Sequence, residues 1–161
     1  MAVKFKDLSP EDQQDYRDRM RHSAAHVLAE AVTKLFPESQ LTIGPPIQDG
    51  FYYDFAVPEP FTPGDLKKIE FEMRDSIRAN TEFVEREVNR DEALKLVSGN
   101  PYKVEILEGI PADEQVTFCS HAGGTFEDLC RGGHMERTGD IRAYKLLSSA
   151  GAYWRGDENN T

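Results

Sequence analysis

The stretch DLCRGGH, residues 128–134, sets Cys130 and His134 four positions apart around two glycines, and RHSAAH, residues 21–26, sets His22 and His26 at the same spacing. Two side chains at i and i+4 on a helix point the same way, so His22 and His26 can grip one metal ion or one water. Cys130 and His134 have the short spacing of zinc-ligand pairs, and one Cys with three His suffices for tetrahedral closure. Taken alone, these residues leave three readings open: a metal centre, a metal-free polar site, and coincidence of spacing. Cys119 and His121 alternate along a strand-like segment, where a packed or surface histidine is the simpler role, so both are left outside the candidate site. The glycines of HAGG and RGG offer backbone N–H groups to a phosphate, a ribose or a carbonyl oxygen, or they merely turn the chain.

These residues need elements to hold them. SPED at 9–12 predicts a helix capped by Ser9, with Pro10 in its first turn, running to about Phe36 over a buried stripe of Met20, Ala24, Leu28, Ala31 and Leu35. His22 and His26 lie around the helix from that stripe, on a face with Glu30 and Thr33. LTIGPPIQDGFYYDFAV, residues 41–57, predicts a hairpin turning at Asp49-Gly50, with Phe51, Tyr53 and Phe55 on one face. Thr62, Pro63 and Asp65 open a second helix, amphipathic through Leu66, Ile69, Met73 and Ile77. TEFVEREV alternates like a half-exposed strand, and NRDE caps a short helix that SGNP ends. YKVEIL and VTFCSH are strand-like, so a strand-helix-strand unit is expected from about 82 to 107; DIRAYKLLSS and GAYWRG suggest further strands.

Helices and hairpins without regular βα alternation give an α+β fold, a mixed or antiparallel sheet packed with a long helix. A single domain over 1–161 is expected, with a small helix-strand lobe inserted at about 59–110. Two cysteines permit at most one disulfide, and in a reducing compartment a free thiol or metal thiolate is the expected state. No apolar stretch is long enough to cross a bilayer and the charged N-terminus lacks a signal peptide's apolar region, which predicts a cytoplasmic protein. The net charge of −10 argues against free-standing nucleic-acid binding, although Arg131, Arg137, Arg142, Lys145 and Arg155 form a local basic stretch that could meet an anion.

RHSAAHVLAEAV, IGPPIQDGFYYDF, FEDLCRGGH and KLLSSAGAYWRGD, taken together and in this order, strongly resemble the editing domain of bacterial threonyl-tRNA synthetases, from about residue 20 onward. The histidine and cysteine pairs also occur in alanyl-tRNA synthetase editing domains and their free-standing relatives. The resemblance implies the α+β editing fold of the threonyl/alanyl second additional domain, and hydrolysis of mischarged seryl-tRNA(Thr) during translation. Serine lacks only a methyl group relative to threonine, worth about 1–3 kcal/mol of discrimination, so a second site that destroys the error is physically required.

Carried over by motif, His22, His26, Lys103, Cys130 and His134 become the catalytic residues, and Tyr53, Asp128 and Arg131 contact the substrate. The threonyl branch implies no metal, whereas the alanyl branch would place zinc on His22, His26, Cys130 and His134. The implied partners are the tRNA(Thr) acceptor end and the rest of a class II threonine-tRNA ligase. ATP belongs to a ligase domain, expected to be absent here together with an anticodon-binding domain, so an excised fragment is the expected origin. Two alternatives stand beside this reading: a zinc-dependent alanyl-type deacylase acting in trans, and a non-catalytic module that positions tRNA. One departure is Gly133, where the family usually has proline before the last histidine; the exchange adds backbone freedom beside His134.

Overall fold

The computed structural model describes residues 4–44 and 46–151. Helix α1 spans Pro10–Leu35; Ser9 caps it by accepting the Asp12 N–H, and Pro10 occupies a first-turn position whose N–H has no helical partner. From Ser23 to Val32 every residue of α1 is buried, rather than one stripe, because the helix is covered on more than one side. Four alanines in this stretch keep it thin enough for close approach, and Leu35, expected in the stripe, is 37% exposed at the helix end.

Helix α2, Pro63–Ala79, starts at a capping box in which the Thr62 side chain accepts from the Asp65 N–H and the Asp65 carboxylate accepts from the Thr62 N–H. Its Ile69 and Met73, both fully buried, pack with α1 in the main core, together with Tyr53, Phe126 and Ile141. Each such side chain contributes about 1.5–3 kcal/mol by leaving water.

Between these helices lie four two-residue strands: β1 Gln40–Leu41, β2 Pro46–Ile47, β3 Gly50–Phe51 and β4 Phe55–Ala56. β1 pairs with β4 and β2 with β3, both antiparallel, so the expected hairpin forms as two nested pairings. Its turn falls on Gln48 and Asp49, one residue earlier than expected, with Ile47 opposite Gly50.

The remaining sheet is three-stranded and antiparallel in the order β5 Val84–Val88, β6 Val116–His121, β7 Phe126–Leu129. Between β5 and β6 run helices α3, Arg90–Val97, and α4, Pro101–Glu108. YKVEIL is therefore helix and not strand: Pro101 opens α4 and the Asn100 side chain accepts from both Tyr102 and Lys103 N–H groups. A second core of Val88, Ala93, Val97, Leu107, Val116 and Phe118 fills this strand-helix-helix-strand unit. α2, although within the range expected for the lobe, packs on α1 instead.

After β7 the segment 140–149 forms no strand; a short 3-10 turn, Thr138–Asp140, leads into it. Tyr144 and Leu146 are tied to α2, through Tyr144 Oη donating to the Glu70 carbonyl and the Leu146 N–H donating to the Glu70 carboxylate. Most of GAYWRG lies outside the described residues. The architecture is α+β. Among the described residues no helix is long and apolar enough to cross a membrane.

Candidate functional site

His22 and His26 come from α1, and Cys130 and His134 from the loop that leaves β7; one ligand atom from each lies within 4.8 Å of all the others. The His134 ring stacks on His22, with centroids 4.1 Å apart, and meets His26 edge-on at 4.4 Å. On a further side Phe83 lies parallel to His134 at 5.0 Å. Ser23, between the two helical histidines in sequence, fixes the loop: its Oγ accepts the Met135 N–H at 2.8 Å and lies 3.4 Å from His134 Nδ1.

The loop reaches α1 through two consecutive left-handed glycines, Gly132 and Gly133, at φ +87° and +83°. Proline, fixed near −65°, cannot adopt the second of these. It would also remove the Gly133 N–H that donates to Glu85 Oε1 at 3.1 Å. The expected loosening of His134 is thus countered by bonds from Gly132, Gly133 and Met135.

Cys130 Sγ accepts the Gly132 N–H at 3.1 Å and lies 3.2 Å from His134 Nε2. Cys119, set aside from the sequence, belongs to the cluster: its Sγ is 2.9 Å from that of Cys130. The Cys119 hydrogen bond, with those from His134, His22 and His26, holds the Cys130 thiol far below its ordinary value despite burial, and Cys119 is driven correspondingly upward. His134 is lowered to about 4, chiefly by burial and further by the neighbouring His26 and His22, so it is neutral at pH 7.

A second group adjoins the first along β7. Asp128 and Cys130 are alternate residues and project to one side, and Asp128 pairs with Cys119 across β6. Tyr53 Oη donates to Asp128 Oδ2 at 2.6 Å, and Lys103 Nζ donates to Tyr53 Oη at 3.0 Å and to Asp128 Oδ1 at 2.9 Å. All three side chains are buried. Burial, then the Asp128 and Cys130 charges, raise the Tyr53 phenol well above its ordinary value, which keeps it a donor. Lys103 is placed by Asn100, whose side chain caps α4 while its Nδ2 donates to the Leu41 carbonyl at 2.7 Å, docking the helix on β1.

Seven of the eight residues inferred from sequence therefore lie in one connected group. Arg131 does not join them: its side chain is 85% exposed and its nearest acidic partner is Glu114 at 3.6 Å. Beneath the cluster lies a group without a sequence signal of its own. Glu30, one turn beyond His26, is 2.8 Å from His121 Nε2 and is bonded by Ser76 Oγ. Burial pushes the Glu30 carboxyl upward, but the His121 and Ser76 bonds and the His121 and Lys34 charges outweigh it and hold the group below its ordinary value. Ser23, Phe83 and Asn100 were likewise silent in the sequence, since serine, phenylalanine and asparagine of these kinds also serve ordinary packing and capping.

The α1 histidine pair thus meets the Cys-x3-His loop directly, and the buried Tyr53–Lys103–Asp128 network lies beside them along β7. The chain matches, over residues 116–161, the family model described as "Threonyl and Alanyl tRNA synthetase second additional domain". It is 54% identical to a threonine–tRNA ligase of Coxiella burnetii over 88% of this chain and 22% of that protein. Relatives of the same name from Clostridium tetani and Gluconobacter oxydans are 50% and 49% identical over 92% and 99% of this chain. The chain spans only 22–24% of the length of these relatives.

Proposed function

We propose that the chain is a post-transfer editing domain that hydrolyses the ester of seryl-tRNA(Thr), within the cytoplasmic setting of a threonine–tRNA ligase. The observation that carries this reading is the meeting of His22, His26, Cys130 and His134, two of them buried and two half-buried, with the buried Lys103–Tyr53–Asp128 network. In the proposed mechanism Lys103 and His22 order the attacking water, and Asp128 and Cys130 position the seryl group. Neutral His134 accepts a proton as the water oxygen bonds to the ester carbon, and returns it to the ribose oxygen as the ester C–O bond breaks. The Tyr53 hydroxyl holds Asp128 and Lys103 in register and transfers no proton, consistent with its raised pKa.

A zinc-dependent version is the second reading. One thiolate and three imidazoles fit zinc in type and number, and the 3.2 Å between Cys130 Sγ and His134 Nε2 suits a tetrahedral edge of roughly 3.5 Å. His22, His26, Cys130 and His134 would hold the ion and fill its four tetrahedral positions, so an activated water would require a fifth position or the withdrawal of one of these ligands.

Purified chain incubated with seryl-tRNA(Thr) and threonyl-tRNA(Thr), with and without a chelator, tests both readings. Selective loss of the seryl ester that resists chelation is the expected result. Loss abolished by chelation and restored by zinc would favour the metal reading. Retention of both esters, with tRNA still bound, would leave a positioning module and defeat the hydrolytic proposal.

A further inference from the structure

β5 supplies none of the residues gathered at the site, yet two side chains at or just before its start are directed at the loop that carries His134. Phe83 and Glu85 alternate along the extended chain and so project to one side of it. The Phe83 ring lies parallel to the His134 imidazole, at 8° and 5.0 Å between centroids, and meets His121 at 5.2 Å. The segment holding it is tied to the chain just beyond His134: the Phe83 N–H donates to the Glu136 carbonyl and the Thr138 N–H to the Thr81 carbonyl, both at 2.9 Å. With the His22 ring stacked at 4.1 Å, Phe83 fixes the plane of the imidazole, while Ser23 and Cys130 meet its two nitrogens and fix its rotation within that plane.

Glu85 acts on the backbone beneath the ring. Its Oε1 accepts the Gly133 N–H at 3.1 Å, and the carboxylate fills the space beside Gly132, where a Cβ would stand 2.6–2.7 Å from its atoms. Glu85 is exposed, and among the described residues it forms no ion pair; its carboxylate is turned to the loop. Two consecutive glycines at positive φ have more conformational freedom to lose than any other pair, so the loop needs an external tie to hold one course.

We propose that Phe83 and Glu85 are positioning residues for His134, the first setting the plane of the ring and the second the course of the loop that bears it. The inference rests on the reading of His134 as the proton carrier of an ester hydrolysis. A reacting group displaced by about 1 Å loses up to about 100-fold in rate, so a side chain that only holds another in place acts on kcat and spares KM.

The test is steady-state hydrolysis of seryl-tRNA(Thr) by the chain and its variants. Glu85→Ala should lower kcat about 10- to 100-fold with KM nearly unchanged. Glu85→Gln, which keeps an amide oxygen for the Gly133 N–H, should recover most of that loss. Phe83→Leu, apolar but without a flat face, should lower kcat to a similar degree. NMR supplies readouts that do not involve the reaction. The Gly133 amide should exchange with solvent roughly 5- to 10-fold faster in Glu85→Ala than in the parent, as loss of one hydrogen bond implies. The carbon-bound ring protons of His134 should move downfield in Phe83→Leu, as the ring current of the stacked phenyl group is lost. Circular dichroism establishes that each variant is folded. Folded Glu85→Ala and Phe83→Leu variants with the kcat of the parent, a loss confined to KM, or a Glu85→Gln variant as impaired as Glu85→Ala would each overturn the proposal. Failure of the parent to cleave the ester would sink the hydrolytic reading alone, and the Gly133 exchange rate and His134 shifts would still decide whether Phe83 and Glu85 hold the ring, unchanged values of both counting against it.

Discussion

Lys103 and Asp128 form a buried ion pair at 2.9 Å, with the two side chains 7% and 5% exposed. Lys103→Met would leave the Asp128 carboxylate buried with only the Tyr53 hydroxyl, and Asp128→Asn would leave the Lys103 ammonium without a countercharge. Each single change should cost about 3–5 kcal/mol, since the surviving charge keeps its desolvation penalty. The double variant Lys103→Met/Asp128→Asn removes both charges, and the Tyr53 hydroxyl retains an acceptor, so its cost should be only about 1–2 kcal/mol. The cycle thus predicts non-additivity of at least about 3 kcal/mol. Urea unfolding followed by circular dichroism measures it. With a slope near 2 kcal/mol/M, each single variant should lose roughly 2 M in its midpoint and the double variant less than 1 M. Singles that sum to the double within about 0.5 kcal/mol would refute the pair as a coupled buried unit.

Gly44→Ala should destabilise by about 1–3 kcal/mol and reduce any hydrolysis, because the added Cβ would collide with the Tyr53 ring and stand 2.8 Å from the Tyr52 carbonyl oxygen; thermal unfolding and deacylation rate check the two parts. Stability should also fall with pH on account of His134. Its folded pKa of about 4 lies below the ordinary 6.5, so on acidification the unfolded chain takes up this proton first. His134 therefore stabilises nothing extra at pH 7 and costs stability progressively as pH drops from about 6.5 to 4, by roughly 3 kcal/mol at about 1.4 per unit of pH. Unfolding midpoints across this window should flatten in His134→Gln, and an equally steep decline in that variant would exclude the assignment.

The parts of the fold that the sequence revealed are those with local causes. Ser9-Pro10 and Thr62-Pro63-Asp65 are helix starts because their side chains satisfy N–H groups three residues on, and both helices begin there. α4 is not legible because K-V-E-I-L satisfies period two as readily as a short helix, while Asn100-Pro101, itself a cap followed by a first-turn proline, equally fits the end of α3. The extended segment 140–149 has the apolar alternation of a strand, but it is held by Glu70 of α2 and not by a neighbouring strand, a tertiary choice no local pattern specifies. At the site, identical i, i+4 spacing exposed the two pairs. Cys119 joined them only through the β6–β7 register, which sets it opposite Asp128 and brings its sulfur to Cys130.

Ser23 bonds to Met135 across 112 residues of chain and approaches His134 across 111. Contacts of such long sequence separation form late, after the loop-closure entropy of the intervening chain has been overcome. On a ribosome adding 5–20 residues per second, His22 and His26 wait roughly 5 to 20 seconds before Cys130 and His134 exist to meet them. During that interval the nascent helix carries two imidazoles but no thiolate, no Asp128 and no ordered Lys103. The proposed hydrolysis therefore draws on residues from both ends of this long separation, and a chain cut before Cys130 would lack half of the cluster.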